Sequence, residues 1–482
     1  MGKGCMYLAT IALVAIGTTT LEAQQAVGQT GETLLMPTFS MPALGSSETS
    51  VNAPNLSEGQ PSAPAPMPPL SGAQVLAPNL GGTPQSYWAP ALACTEYATT
   101  SPNGLNRNSG LFSESSCAAN LTLQKVDRHS QLNLAFTGGS FDYNRSYEEA
   151  TKQYGTAGEL TVFEQVKGRR WNWMAGNQGS YLPEGSVGFE PFAGLSTFAG
   201  GMGGGAMSSA PALNTALSPN QSIYSGVARR FSNLALSELN YAVGPRTKLT
   251  ATVVFGTQQF LDPGFLDSLS LSVIGGYNRT FGRGNEIALA YDDMHYSFSA
   301  SRQGFSARGA SILYGRPIRG KLTVDLSVAP MARETSSTTH FFFGTYDSLG
   351  YRFLRWDGTL RLDRTLTGGA GFLAGAERTQ VTAMLGRQLS RRVHGSLNVA
   401  YANNLSVTQG SSAASLPSYD YVQAGANLTH ELGRHISMYL DYSFQRQTSN
   451  TPLCEGATCS TEYFRQIGGF GINWHAQPMK LQ

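Results

Sequence analysis

The sequence predicts an all-β protein, a transmembrane antiparallel up-and-down β-barrel of about eighteen strands. Three observations support this prediction. Polar and apolar residues alternate over long segments, short turns recur at regular intervals, and the last alternating segment ends almost at the C-terminus. Soluble proteins rarely end on such an exposed strand edge. A barrel in lipid must pair its last strand with its first, because lipid offers no hydrogen-bond partner to an open edge.

The alternation is clearest near the C-terminus. Between residues 436 and 444 apolar residues occupy every second position, and mostly polar residues lie between them. This two-residue period gives a strand one apolar and one polar face. Tyr439 is out of phase, so the pattern predicts that it points to the polar side. The same alternation recurs upstream at residues 249–255, 269–273, 322–328 and 397–401.

Short basic or glycine-containing turns separate these segments, as at residues 168–170, 244–247 and 432–435. Such turns recur about every 35 to 45 residues, which is the length of two membrane-crossing strands, one turn and one loop. Eighteen strands can be counted from residues 86–97 to residues 462–474. Pro90 interrupts the first, and both chain ends must lie on one side of the membrane. Sixteen strands are therefore the alternative.

The first 23 residues have the features of a cleavable signal peptide. Lys3 provides a basic start, residues 6–16 form an apolar core, and Leu21, Glu22 and Ala23 form a cleavage site. The core is too short to span a bilayer, and no later segment reaches the roughly 18 apolar residues that a transmembrane helix needs. The sequence therefore predicts export without an inner-membrane anchor.

Residues 24–85 are predicted to form a separate, disordered arm before the barrel at residues 86–474 and a C-terminal extension at residues 475–482. Residues 24–90 hold 11 of the 23 prolines and no lysine or arginine. Such a segment cannot bury enough apolar surface to offset the entropy of ordering it. We interpret the arm as a periplasmic spacer, or as a tether to peptidoglycan or a periplasmic partner.

Composition favours a weakly charged β protein. Charged residues make up 13% of the chain, 55 residues are glycine, and the formal net charge is +2. The basic residues are scattered, so the sequence predicts no nucleic-acid partner. No phosphate-binding loop, dinucleotide fingerprint or zinc motif lies in a suitable context, so no cofactor is expected.

Four cysteines follow the signal peptide, and an even number in an exported protein favours disulfides. Cys454 and Cys459 bracket a short segment and suit a local bridge. A Cys94–Cys117 bridge would close the first loop, at residues 98–117. No histidine lies at ligand spacing to these cysteines, so no metal site is expected.

The chain resembles bacterial outer-membrane β-barrel proteins of the porin-like kind over residues 86–474. The last strand is similar to the signal that the barrel-assembly machinery binds, with Gly469 three residues before the first of two alternate hydrophobic residues, Ile472 and Trp474. Ile467 and the extension after Trp474 depart from that pattern. The resemblance implies a location in the outer membrane, in contact with its lipid and with the assembly machinery.

A passive channel for ions or small solutes is the function that the strand number favours, because eighteen strands enclose an aqueous lumen unless something plugs it. Charged and amide side chains in the polar phase would then set ion preference. The long connection at residues 182–223 either folds inward or forms a surface loop. The candidate lumen-lining residues are Asp325, Arg361, Asp363, Asp441, Asn398 and Asn278.

Two other classes of function also fit features of the sequence. The arm favours a structural or partner-docking barrel without an open pore. A rim-located hydrolase is the third possibility, because Asp292, Asp293 and His295 lie near one end of a predicted strand. By phase, Asp293 and His295 should lie on the same outward side as Tyr291.

Overall fold

A computed structural model describes the chain from Ser86 to Leu481, with gaps in the connections between strands. The predicted signal peptide, the arm, the two cysteines Cys454 and Cys459, and nearly all of the 182–223 connection lie outside the described residues. The gaps are residues 101–111, 144–153, 183–228, 263, 283–284, 300–303, 319–321, 336–337, 354–355, 369–372, 391, 408–415, 434, 451–460 and 477–478.

The described residues form eighteen long strands and one short terminal strand, with no helix among them. The long strands contain 12 to 15 residues, more than the roughly 9 to 11 that a tilted strand needs to cross a bilayer. Their bounds are β1 Tyr87–Thr99, β2 Phe112–Val126, β3 Ser130–Tyr143, β4 Tyr154–Lys167, β5 Trp171–Leu182, β6 Arg230–Gly244, β7 Thr247–Phe260, β8 Ser268–Phe281, β9 Asn285–Phe298, β10 Phe305–Ile318, β11 Leu322–Glu334, β12 Thr339–Phe353, β13 Trp356–Thr367, β14 Ala376–Gln388, β15 Val393–Ser406, β16 Ser418–Glu431, β17 Ile436–Ser449, β18 Glu462–His475 and β19 Met479–Lys480.

Each long strand pairs antiparallel with the next, and β18 pairs with β1, so the sheet closes into an up-and-down barrel. The predicted count of eighteen is confirmed, and β1 is a full member despite Pro90. Short turns and both described chain ends lie at one end of the barrel, which we call the turn end. The longer connections lie at the opposite end, the loop end.

The closing seam matches the prediction that the last strand returns to the first. It runs from Ala91 opposite His475 to Thr99 opposite Ile467. Toward its loop end the Tyr97 ring lies over Gly469, where any Cβ would overlap the ring atoms. The C-terminal extension lengthens the seam, because Met479 in β19 pairs with Trp88. Glycine at position 469 therefore permits close packing of an aromatic ring across the closure.

Side chains are distributed inside out relative to a soluble β protein. Large apolar side chains are exposed on the outer surface, and buried polar side chains face inward. A soluble barrel would instead bury its apolar face, so this arrangement fits an outer surface in lipid. No helix in the described part of the chain is long and apolar enough to cross a membrane. Exposed apolar residues include Leu239, Leu249, Leu289, Leu326, Leu360, Leu397, Leu440, Tyr442, Ile472 and Trp474.

Candidate functional site

The inner wall of the barrel is the candidate site, and it carries all six candidate lumen residues. Asp325, Asp363, Asp441, Asn278 and Asn398 are buried on the inward phase of their strands, and Arg361 is half-buried in phase with Asp363. Tyr439 also faces inward, where its hydroxyl is hydrogen-bonded to Thr95 on β1. The two-residue period therefore gives the direction of a side chain even at a position such as Tyr439, where an apolar ring stands in the polar phase.

Three inward carboxylates have neutral partners. Gln178 donates a 2.8 Å hydrogen bond to Glu159 Oε1, and the Thr161 hydroxyl lies 3.3 Å from the same oxygen. Asn240 Nδ2 donates to Glu238 Oε1 at 2.5 Å. Asn427 donates to Asp441 Oδ1.

These three carboxylates take part in no ion pair within the described part of the chain. Glu159 lies near the middle of β4, Glu238 just past the middle of β6, and Asp441 in the turn-end half of β17. Amide and hydroxyl side chains, and no cationic side chains, are therefore the partners of these three carboxyl groups among the described residues.

The buried arginines lie at the loop end of the wall. Arg378 Nη2 is 3.2 Å from Asp363 Oδ2, and Arg333 Nη1 is 2.5 Å from Glu377 Oε1. Arg465 donates to Gln445 Oε1 at 2.6 Å and 3.0 Å. Arg230, at the first position of β6, is also buried there. Cationic side chains and their carboxylate partners thus concentrate at this end.

The hairpin between β13 and β14 leaves the barrel wall at the loop end. Pairing of β12 with β13 stops at Thr345 opposite Arg364, although β12 continues outward to Thr339. Beyond that point residues 365–367 pair only with β14. Phe341 lies on the part of β12 that has no pairing with β13, and its side chain is 84% exposed. We call residues 365–378 the inward hairpin, of which residues 369–372 are not described.

The inward hairpin crosses the lumen and packs against opposite parts of the wall. The Tyr296 hydroxyl on β9 donates to the Leu366 carbonyl at 3.2 Å, and Leu366 packs with Phe305 of β10. Leu373 packs on the other side with Tyr419 of β16 and Tyr463 of β18. These contacts narrow the loop end of the lumen.

Glycine is required at one position of this hairpin. Gly375 has φ of 87°, a backbone conformation that residues with a side chain rarely adopt. A Cβ there would also overlap the Phe305 ring. The amide of Val407 donates to the Gly375 carbonyl at 3.1 Å, which ties the hairpin to the end of β15.

Three charged residues hold the inward hairpin against the wall. Glu377 on β14 accepts from Arg333 of β11 at 2.5 Å and from Arg364 of β13 at 3.4 Å. The Arg364 guanidinium also lies 5.0 Å from the centroid of the Phe342 ring. We call Arg333, Arg364 and Glu377 the Glu377 network. The network lies where β13 is no longer paired with β12.

Alternation in the sequence does not predict this hairpin, and residues 182–223 are the connection for which an inward path is an alternative. That connection lies almost wholly outside the described residues, so its path stays a prediction. A signal was present in residues 366–374, where Leu366, Phe372 and Leu373 occur in a glycine-rich connection. Large apolar residues in a surface loop lack a partner, and an inward path provides one.

The residues considered for a rim hydrolase do not come together. Asp292 is fully buried on the inner wall, whereas Asp293 and His295 are partly exposed on the outer face. His295 Nε2 lies 3.2 Å from Asp293 Oδ1, and Arg308 Nε lies 3.3 Å from the same oxygen. The expected outward phase of Asp293 and His295 is observed. Because the barrel wall separates Asp292 from them, the three cannot form one site.

Cys94 and Cys117 form a disulfide on the outward phase of β1 and β2. They are directly opposite one another in the strand pairing, with their Cα atoms 4.1 Å apart. The expectation that Cys117 lies in a loop is wrong, because β2 begins at Phe112. The polar segment before Cys117 pairs with β1 through backbone hydrogen bonds. Cys454 and Cys459 lie outside the described residues.

The residues of the predicted assembly signal lie on both faces of β18. Gly469 faces inward below Tyr97, and Ile472 and Trp474 are exposed on the outer face. This placement is compatible with recognition by an assembly partner, which stays a prediction. It also shows that Gly469 has a packing role within the finished barrel.

Together these features define a closed β-barrel with an apolar outer surface, a polar inner wall and an inward hairpin. No protein-family model matches the sequence, and no curated protein matches it. Solved structures that are similar include the outer membrane protein OpdK from Pseudomonas aeruginosa, at 8% identity and a TM-score of 0.41, covering 81% of this chain and 98% of that one. A BenF-like porin from Pseudomonas fluorescens Pf-5 is similar at 8% identity and a TM-score of 0.43, covering 82% and 99%. OccAB4 from Acinetobacter baumannii, also at 8% identity, has a TM-score of 0.41, covering 83% and 100%. This likeness concerns the barrel fold.

Proposed function

We propose that this chain is a porin-like outer-membrane channel that passes ions or small polar solutes. The observation that carries the proposal is the inside-out distribution of side chains in a closed barrel of eighteen strands. Known barrels of 16 to 18 strands enclose an aqueous channel, whereas barrels of about 8 strands are filled by their own side chains. A polar inner wall in a barrel of this size suits a water-filled path.

The hydrogen-bond inventory of the wall supports a hydrated interior. Several buried polar atoms have no protein partner among the described residues, including Glu159 Oε2, Gln178 Oε1, Asp441 Oδ2 and Ser443 Oγ. A polar atom left unsatisfied in a dry core costs about 1 to 3 kcal/mol. Buried polar groups in folded proteins are therefore bonded to protein or to ordered water. Ordered water held within the wall would satisfy these atoms.

The orientation follows from the lengths of the connections. In bacterial outer-membrane barrels short turns face the periplasm and long loops face outward. The turn end would then be periplasmic, and the inward hairpin would lie at the extracellular mouth. A hairpin that packs against both sides of this mouth restricts the channel to small solutes.

The remaining parts of the proposal concern delivery to the membrane. Residues 1–23 would direct export, and the last strand would be recognised by the barrel-assembly machinery. Residues 24–85 would serve as a periplasmic spacer, or as a tether to peptidoglycan or another partner. Support for these points comes from the sequence features described above.

Reconstitution of the purified protein in a planar bilayer tests the channel function. We expect discrete conductance steps from protein that migrates in its folded, heat-modifiable form on detergent gels. The heat-denatured sample is the control and should give none. Folded protein that inserts but produces no steps would contradict the proposal.

A further inference from the structure

We propose that arginines around the turn end of the barrel bind the phosphate headgroups of anionic phospholipids. The inference goes beyond the proposed channel function and shares with it only the position of the barrel in a membrane. It starts from the charged side chains at the two ends of the barrel and from the place of three arginines on the outer face.

The turns at the turn end are basic. The connections 127–129, 168–170, 245–246 and 389–392 together contain six arginines and one acidic residue, Asp127. Because these turns belong to different hairpins, their arginines are spread around the rim of the turn end. Arginine is always charged in proteins, so this rim carries positive charge. The exposed arginines of these turns are Arg128, Arg169, Arg170, Arg246 and Arg392.

Three further arginines lie on the outer face of the barrel, where its apolar surface ends. Arg279 on β8, Arg316 on β10 and Arg387 on β14 are exposed at outward positions near the turn end. Along each strand, the next outward residue toward the middle of the barrel is a large apolar or aromatic residue. Long basic side chains at such positions lay their stems along apolar surface and extend their charge to the headgroups. The neighbouring outward residues are Tyr277, Tyr314 and Leu385.

The surroundings of these three arginines leave their charge available to a ligand. None of the three forms an ion pair within the described part of the chain. The Arg387 guanidinium lies 4.3 Å from the centroid of the Trp356 ring, and Trp356 is 37% exposed on the outer face. An aromatic ring orients a guanidinium without neutralising it. Since tryptophan is enriched at membrane–water interfaces, this contact places Arg387 at the level of the headgroups.

The exposed arginines of the loop end have carboxylate partners instead. Arg308 Nε lies 3.3 Å from Asp293 Oδ1, and Arg446 Nη2 lies 2.9 Å from Glu462 Oε1. Among the described residues, outward arginines without such a partner therefore concentrate at the turn end.

An anionic phospholipid fits this arrangement because both of its parts find a partner. Its phosphate accepts hydrogen bonds from a guanidinium, and its acyl chains lie against the adjacent apolar surface. Basic residues next to a membrane attract anionic lipids, and the attraction falls off within a Debye length. In the orientation proposed above, these lipids belong to the periplasmic leaflet.

The test is the lipid selectivity of the purified full-length protein, measured by electron paramagnetic resonance. The protein is reconstituted in phosphatidylcholine vesicles that contain a trace of spin-labelled phosphatidylglycerol or, in a parallel sample, of spin-labelled phosphatidylcholine. The motionally restricted fraction of the label measures association of each lipid with the protein. At low salt we expect phosphatidylglycerol to associate about twofold or more in excess of phosphatidylcholine. The preference should weaken at about 1 M salt, where the Debye length is only about 3 Å.

The triple variant Arg279→Gln, Arg316→Gln and Arg387→Gln removes the charge from the outer face, so the ratio of the two associations should fall toward one. Arg→Lys changes at the same three positions keep the charge and should retain most of the preference. The control variant, Arg308→Gln with Arg446→Gln, changes two exposed arginines of the loop end. Its ratio should stay close to that of the wild-type protein, because these arginines already have carboxylate partners. Heat-modifiable migration verifies folding of each variant.

The outcomes separate this inference from the channel function. Equal association of the two lipids with wild-type protein, or a preference that the folded triple variant keeps, would overturn the inference and leave the channel function intact. Binding to isolated peptidoglycan that the triple variant loses, without any lipid preference, would also overturn it and would assign the arginines to the cell wall. Absence of conductance from folded wild-type protein would overturn the channel function and leave the lipid preference standing.

Discussion

The buried carboxyl groups at the loop end of the inner wall have different partners from those in the middle of the wall. At the loop end, arginines pair with carboxylates, as in Arg378 with Asp363 and Arg333 with Glu377. In the middle, carboxylates such as Glu159 are held by neutral amides. Ion pairs therefore hold the packed constriction at the loop end, whereas hydrogen bonds from amides hold the carboxyl groups in the middle of the wall. The difference indicates that charged side chains concentrate where the inward hairpin must be held in place.

The largest expected effect comes from removing the tip of the inward hairpin. Replacing residues 368–375 by an Asn-Gly turn joins the facing residues Thr367 and Ala376 directly and removes Leu373 from its contacts with Tyr419 and Tyr463. Because the constriction is lost, single-channel conductance should rise about twofold or more. Unchanged conductance in a folded variant would show that the hairpin does not limit flow.

A smaller effect is expected from the Glu377 network. Glu377→Gln removes the negative charge that Arg333 and Arg364 share, so the hairpin should detach more often. If the network loses about 1 kcal/mol of stabilisation, the ratio of channels with a detached hairpin to channels with a docked hairpin should rise about fivefold. Single-channel recordings of the variant should therefore show the higher conductance level more often than recordings of the wild-type protein.

The control for this change is Glu462→Gln. Glu462 pairs with Arg446 at 2.9 Å at the same end of the barrel, but these side chains are 33% and 53% exposed. Exposed pairs contribute about 0 to 1 kcal/mol, so conductance levels should not change. If Glu377→Gln and Glu462→Gln show the higher conductance level equally often, the Glu377 network does not hold the hairpin in place.

A substitution at the closing seam should lower the stability of the barrel and have little effect on its conductance. Gly469→Ala places a methyl group in the Tyr97 ring, so the barrel should lose about 1 to 3 kcal/mol of stability. Gly468→Ala is the matched control, because a Cβ at the neighbouring position has open space. The temperature at which folded protein converts to the unfolded band on detergent gels measures both. Equal temperatures for the two variants would argue against packing across the seam.

Alternation in the sequence was sufficient to predict strand number, closure and the inward position of residues such as Asp363 and Asn278. These features depend on a local period that each strand carries by itself. The inward hairpin could not be predicted in this way, since its path depends on Leu366 and Leu373 finding partners on distant strands. Alternation also could not show which charges pair. Arg333 and Glu377 lie three strands apart and meet only because the hairpin folds inward.

The start of β2 shows a second limit. Ser113, Ser115 and Ser116 have little preference for strands, so the sequence predicts that this segment belongs to a loop. In the structure β1 lies opposite and supplies the backbone partners, which extends β2 to Phe112. Pairing with a neighbour can thus override weak local preference at a strand end.

The inner wall is expected to face water and the outer wall to face lipid, so the two faces should differ in their access to polar reagents. Adjacent cysteine substitutions in β14 compare them: Thr382→Cys lies on the inner face, opposite Arg361, at a partly exposed position, and Val381→Cys lies on the outer face. Each variant in lipid vesicles would be treated with a small, charged, thiol-specific reagent and compared with the parent protein. We expect rapid labelling at position 382 and little at position 381. Labelling at 381 with none at 382 would show that the faces are arranged the other way round.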